Sequence, residues 1–269
     1  MTLADGGTAP LRFKPFHDSR LTTLLAPAAL GVLMVAAWQL AVDSFDIQPF
    51  IVPSPHAIFD QLVESRASVW EGIRGTGRNA LYGLLIGAAV GIVAALLSHA
   101  SRIIDLMSVP VVAALSVVPI VALAPVLYTM FGAAANTARV IVAAITVIIP
   151  VYFNTLRGLR QVKPVHRELM TVYAASPVQV ARAVTLPTAA PYVFTGLRIA
   201  SSLAVIAALI AEYFGGPVDG LGKAITTSAS SSNYPLAWAY VFGSILLGLA
   251  FYLVTLLVEL RVSRHGPAT

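Results

Sequence analysis

Glu168–Pro187, ELMTVYAASPVQVARAVTLP, is a soluble-looking segment set inside a very apolar chain. It reads as two short helical pieces. The first, Glu168 to Ala174, carries an acid in its opening turn, where the helix dipole favours one. The second takes Ser176 as N-cap and Pro177 at the first helical position, where a missing N–H costs nothing. It continues through Val178, Ala181 and Val184, and Leu186-Pro187 is expected to stop it. Tyr173, between the two pieces, is an apolar ring with a polar tip, a residue type that anchors interfaces. A helical elbow of this kind between two membrane spans is a protrusion suited to a partner.

Outward from the elbow the chain changes character. Of 269 residues 58% are apolar and only 11% charged, against about a quarter charged in soluble domains. Mean hydropathy is +0.83. Apolar runs close to the ~20 residues that cross a bilayer recur along it. This implies an all-α membrane protein with one transmembrane domain, residues 21–264, between a cytoplasmic tail, 1–20, and a short C-terminal tail, 265–269. The spans are expected at about Leu21–Val42, Ala80–Leu97, Leu106–Phe131, Ala134–Thr155, Tyr192–Phe214 and Leu236–Glu259, with the elbow in a loop over 156–191. Pro55 should open a short amphipathic helix at the outer surface. With the N-terminus inside, only Arg66, Arg74, Arg78, Arg139 and Lys223 of the 17 basic residues fall outside. Both termini and the elbow are therefore cytosolic by the positive-inside rule. The same sidedness explains the net charge of +5 better than nucleic-acid binding does.

Several kinds of chemistry are excluded or unsupported. Zero cysteines rule out disulfides and thiolate metal sites, and the five histidines show no ligand spacing. The nearest approach to a phosphate loop, Pro217 to Ala224, lacks the initial glycine and the Ser or Thr after Lys223 that would hold magnesium. No catalytic site is expected in the chain.

Within the spans, Gly83, Gly87 and Gly91 form a small-residue stripe for close helix packing. Pro110, Pro119 and Pro125 should kink the third span and free carbonyls beside protein or a cavity. Arg139 is long enough to snorkel to the headgroups. Arg198 and Glu212 lie about four turns apart on nearly one face, with Ser201 along it. Charge at such depth faces protein or a cavity. For Arg198 a structural pairing near the cytosolic end is expected, with attraction of an anionic solute as the alternative. Glu212 is left open between a helix-end carboxylate at the outer interface and a gate or substrate contact.

These motifs resemble those of ABC importer permeases, whose cytoplasmic signature is E-A-A, three residues, G, nine residues, I-x-L-P. Glu168-Leu169-Met170, Ala174 and Val184-Thr185-Leu186-Pro187 keep every spacing, with alanines and glycine replaced, and Ala174-Ala175-Ser176 is similar to the usual G-A-S. Pro53-Ser54-Pro55 and Ala211-Glu212 are similar to further family motifs, and the run from Pro119 through Pro125 to Phe131-Gly132 and Phe153-Asn154-Thr155 resemble the nitrate/sulfonate/taurine branch. The resemblance implies the six-helix permease of a type I importer in the bacterial inner membrane. It implies a second copy of the chain, two cytosolic ATPase subunits that hold ATP and Mg, and an extracytoplasmic solute-binding protein. Glu168, Tyr173, Ala174, Ala175, Ser176, Pro177, Leu186 and Pro187 would couple to the ATPase. Pro119, Pro125, Asn154, Arg198, Ser201 and Glu212 would belong to the translocation path of a small solute, an anion among the candidates. The rival from another class is a self-sufficient ion-coupled transporter or channel, for which paired inverted repeats would be expected. No such repeat is evident.

Overall fold

The computed structural model describes residues 20–132 and 135–263, and its regular structure there is entirely helical. Both expected tails lie outside these residues apart from Arg20. The chain divides into two compact units, Met1–His56 and Ala57–Thr269.

In the first unit α1 (Arg20–Ser44) runs unbroken through Pro27. Leu30, Val32, Leu33, Met34 and Leu40 leave it apolar around much of its circumference and exposed, which in water would be untenable and in lipid is ordinary. Near its end Gln39 Nε2 donates to Asp43 and Gln39 Oε1 accepts from the His56 backbone N–H, tying the following turn down. Helix α2 (Pro55–Glu64) opens at the proline expected to start it and from Ala57 on belongs to the second unit.

In the second unit three long helices make the centre: α3 (Arg66–Ala100), α6 (Thr137–Leu159) and α9 (Leu186–Phe214). Their shared core is Ala80, Leu84 and Ala88 against Val147 and Val151 and against Ala200, Ala204 and Ala208. The α3 glycine stripe packs as expected. A Cβ on Gly83 would overlap Ala143, one on Gly87 would overlap the Ala144 carbonyl, and one on Gly91 would press on Ile148 O at 3.0 Å. Small residues thus let α3 and α6 touch backbone to backbone, where dispersion replaces the missing hydrophobic drive. The second span begins a long way before Ala80. Arg66, Glu71 and Arg74 mark this stretch as surface in the sequence, but Val69, Gly72, Thr76 and Asn79 give it a buried face.

The third span is two helices rather than one kinked helix: α4 (Arg102–Val117) and α5 (Ile120–Phe131), bent by 92°. Proline dictates the break, because its ring pushes the preceding residue out of the helical region. Val118 accordingly sits at φ −62°, ψ 121°. Pro110 and Pro125, by contrast, are carried inside helices. Five described helices, counting the run from Pro177 to Phe214 as one, are long and apolar enough to cross a membrane, and the bent pair makes a sixth if taken as one span.

Two short helices, α7 (Pro164–Val172) and α8 (Pro177–Val180), precede α9, and α10 (Leu221–Ser230) with α11 (Tyr234–Ser263) comes after it.

Candidate functional site

The elbow is held by local chemistry. Helix α7 starts at Pro164, one turn before Glu168. Glu168 therefore sits mid-helix and exposed, and the expected dipole role for it lapses. Pro164 at the first helical position is the signal that marks the true start. The helix ends in a Schellman motif: Ala175 N–H donates to Met170 O at 3.0 Å and Ala174 N–H to Thr171 O at 2.9 Å. This places Ala174 at φ +49°, the left-handed region natural to the glycine of the permease signature. The geometry survives the replacement, at a steric cost to alanine of about 1–2 kcal/mol.

Ser176 then caps α8 as the sequence indicates. Its Oγ accepts from Gln179 N–H at 3.4 Å, while Gln179 Oε1 accepts from Ser176 N–H at 2.7 Å, a reciprocal capping box. Pro177 occupies the first helical position. Beyond Val180 the chain departs from expectation. Leu186-Pro187 does not stop the helix; a π turn, Ala181–Thr185, leads straight into α9. The wider turn accommodates a proline, which lacks an N–H for the ladder and crowds the carbonyl one turn back. The second piece of the elbow and the span are thus one continuous helix, Pro177–Phe214. On the elbow Val172 is 82% and Tyr173 72% exposed, beside exposed Val165, Leu169 and Val178.

The residues expected in the path separate into several places. Pro119 stands at the α4–α5 break and Pro125 inside α5. Asn154 Nδ2 bonds back to Pro150 O at 2.8 Å on its own helix, where α9 passes it at Gly196. Arg198 Nε lies 2.9 Å from Glu259 Oε2 on α11, with its guanidinium carbon 5.8 Å from the Tyr252 ring centre. Thr195 Oγ1 donates to the same carboxylate at 2.6 Å, and Ser201 shares a hydroxyl bond of 3.1 Å with Thr255. Arg198 and Ser201 therefore belong to the α9–α11 seam, the structural pairing favoured from the sequence.

Glu212, at the other end of α9, is completely buried. Its Oε2 accepts from Thr76 Oγ1 at 2.7 Å and from Gly222 N–H at 3.0 Å, and its Oε1 from Asn79 Nδ2 at 3.5 Å. Arg139 Nη1 lies 3.7 Å away. Arg139 does not snorkel: it too is completely buried. Its Nη1 donates to Asp219 at 2.8 Å and to Asn136 at 3.3 Å, and its Nη2 to the Pro217 carbonyl. The segment 215–222, which in sequence is only a failed phosphate loop, wraps this pair. Thr76, Asn79, Arg139 and Asp219 are the partners that sequence reasoning misses. A usable signal exists: two opposite intramembrane charges, each too costly to stand alone, near the same membrane face.

A multi-helix membrane bundle with a broken span and a projecting elbow defines the class: a transport protein's membrane subunit. Residues 87–264 match the family model of the binding-protein-dependent transport system inner membrane component, and the chain belongs to that family. A probable ABC transporter permease protein of Haemophilus influenzae is 28% identical over 229 residues, which cover 85% of this chain and 93% of that one. The putative aliphatic sulfonates transport permease protein SsuC of Escherichia coli is 30% identical over 190 residues, 70% of this chain and 72% of its own. The fold is shared with a crystal structure of an amino acid ABC transporter with histidines, at TM-score 0.62 and 19% identity over 74% of this chain and 96% of that one. The chain is the membrane-spanning permease subunit of an ATP-driven importer, a multi-pass inner-membrane protein. Membership in that family sets aside the ion-coupled alternative.

Proposed function

We propose that the elbow, residues 168–187 together with the first turn of α7 from Pro164, seats in a separate cytosolic ATPase and carries its motion into the bundle. Two copies of the chain enclose the path, two ATPase subunits bind ATP and Mg below them, and a solute-binding protein delivers solute from the other side. The observation that supports this reading is the elbow itself. It presents Val172 and Tyr173 almost fully to solvent, yet its backbone is fixed by a Schellman motif and a capping box. Exposed apolar side chains on a preorganised backbone lose little entropy on binding. Because α8, the π turn and α9 form one helix, a push on α8 reaches the membrane without a flexible joint, and the Schellman turn and capping box fix Tyr173 against it.

Glu168 sits at the rim of this surface as a charge partner, and Leu186 and Pro187 mark where the elbow enters the span. The solute is a small molecule, and the sulfonate relative named above favours an anion. Arg198 is a poor candidate for attracting it, since Glu259 already neutralises it.

Co-purification with the cognate ATPase, and the rise in ATP hydrolysis on assembly, test the reading. Ala175→Asp and Glu168→Lys should lower both while the permease stays folded. If both variants assemble and hydrolyse normally, the elbow is not the coupling element.

A further inference from the structure

The ion pair at the far end of α9 is enclosed by close-lying backbone as well as by its side-chain partners. A Cβ on Gly216, at φ +98°, would lie 2.6 Å from Arg139 Nη2. One on Gly220 would overlap the Glu212 carboxylate, one on Gly222 the Leu209 carbonyl, and one on Gly75 of α3 the Asp219 carbonyl. Four glycines thus stand where chain and charged groups interpenetrate. The segment between α9 and α10 is moulded on Arg139 and Glu212, and Leu221 N–H is tied to the same knot through Thr76 Oγ1 at 2.9 Å.

Stability alone is a weak reason for such an arrangement. Replacing a buried ion pair with apolar groups of equal volume is often neutral or stabilising. An ion pair differs from an apolar contact in that it can exchange partners. Here Asp219, 43% exposed, is shared between buried Arg139 at 2.8 Å and exposed Arg78 at 3.4 Å. Glu212 also rides on the helix that begins at the elbow, about 50 Å away by helical rise. A rotation or shift of that helix moves the carboxylate relative to Arg139, Thr76 and Asn79, which sit on α6 and α3.

We propose that Glu212 and Arg139 form a clasp that positions the Gly215–Gly220 segment, and that the transport cycle opens it. Glu212 is a positioning residue: it acts on the path through the segment it holds. The inference rests on the permease reading and on the coupling proposed for the elbow.

The natural chain has no cysteine, so Val218→Cys, on a residue 76% exposed, can carry a single spin label in the full chain in lipid nanodiscs. In the isolated chain the label should be restrained, and Glu212→Gln should mobilise it. Asp219→Asn, at a half-exposed site and with Glu212 still beside Arg139, should mobilise it partially. In the complex with the ATPase, trapping with ATP and vanadate should mobilise the label in the otherwise natural chain and leave Glu212→Gln unchanged, already mobile. A label that neither variant mobilises in the isolated chain overturns the clasp. A label that the variants mobilise but vanadate trapping does not would reduce the pair to a static staple and overturn its role in the cycle. Failure of the ATPase to bind at all would instead refute the elbow reading, while the isolated-chain arm still reports on the clasp.

Discussion

The two ends of the helix Pro177–Phe214 are built by opposite means. At the elbow apolar side chains face solvent, and the backbone is fixed by its own neighbours in sequence, through Ala174, Ala175, Ser176 and Gln179. At the far end charges are buried, and the backbone is fixed by residues remote in sequence, Thr76, Asn79 and Arg139. The first arrangement is what a surface needs to receive a partner without rearranging. The second makes a contact whose strength depends on geometry, since charges in a medium of low polarity interact strongly and lose heavily when separated.

The contrast can be broken most forcefully at the buried end. Arg139→Met strands Glu212 without its cation and should destabilise the chain by about 3–5 kcal/mol. The exposed pair Arg78–Asp219 is worth at most about 1 kcal/mol, so Arg78→Ala should be nearly silent. Thermal unfolding of the two variants in the same detergent measures the difference, and equal shifts would erase the distinction. At the elbow the expected effect moves from folding to binding. Tyr173→Asp should leave thermal stability unchanged and weaken ATPase association by about 2 kcal/mol, roughly thirtyfold, the size of an interface anchor. Titration of ATPase against the permease in nanodiscs would show it.

Smaller effects sharpen the comparison. Ser176→Ala removes one half of the capping box and should cost the elbow about 1 kcal/mol. Faster amide hydrogen exchange confined to α8 and the π turn would reveal it, because the far end shares no contact with Ser176. Ala174→Gly has the smallest effect and the opposite sign. The relief of a left-handed alanine is partly offset by the greater chain entropy of glycine, leaving less than about 1 kcal/mol of stabilisation. Slower exchange at the Ala175 amide is the expected result.

The same division explains what is legible in the sequence. Elements fixed by local rules can be read there: the Ser176-Pro177 start of α8, the Pro55 start of α2, the glycine stripe of α3 and the apolar spans themselves. The break at Pro119 is expected as a kink and is a right-angled separation, because a pattern of prolines gives position but not angle. The start of α7 is misplaced when the acid at Glu168 is given more weight than Pro164. Leu186-Pro187 reads as a stop, and one widened turn is enough to admit it. The clasp is least legible. Arg139 and Glu212 are far apart in the chain and nothing local pairs them, so only the packing of α3, α6 and α9 brings them together. Arg198 shows the reverse: its need for a partner is plain, though its partner, Glu259, lies near the end of the chain.

The π turn at Ala181–Thr185 has a further consequence of direction. A π bulge amounts to one residue inserted into an α-helix, and each residue turns the helix by about 100°. The azimuth at which Pro177 and Val178 leave the axis of α9 is thus set by a single-residue surplus just before α9 begins. Excision of one residue there would leave α7, α8 and every residue of α9 in place, yet swing α7 and α8 about a quarter-turn around the bundle, so that their apolar face would meet a different compass point.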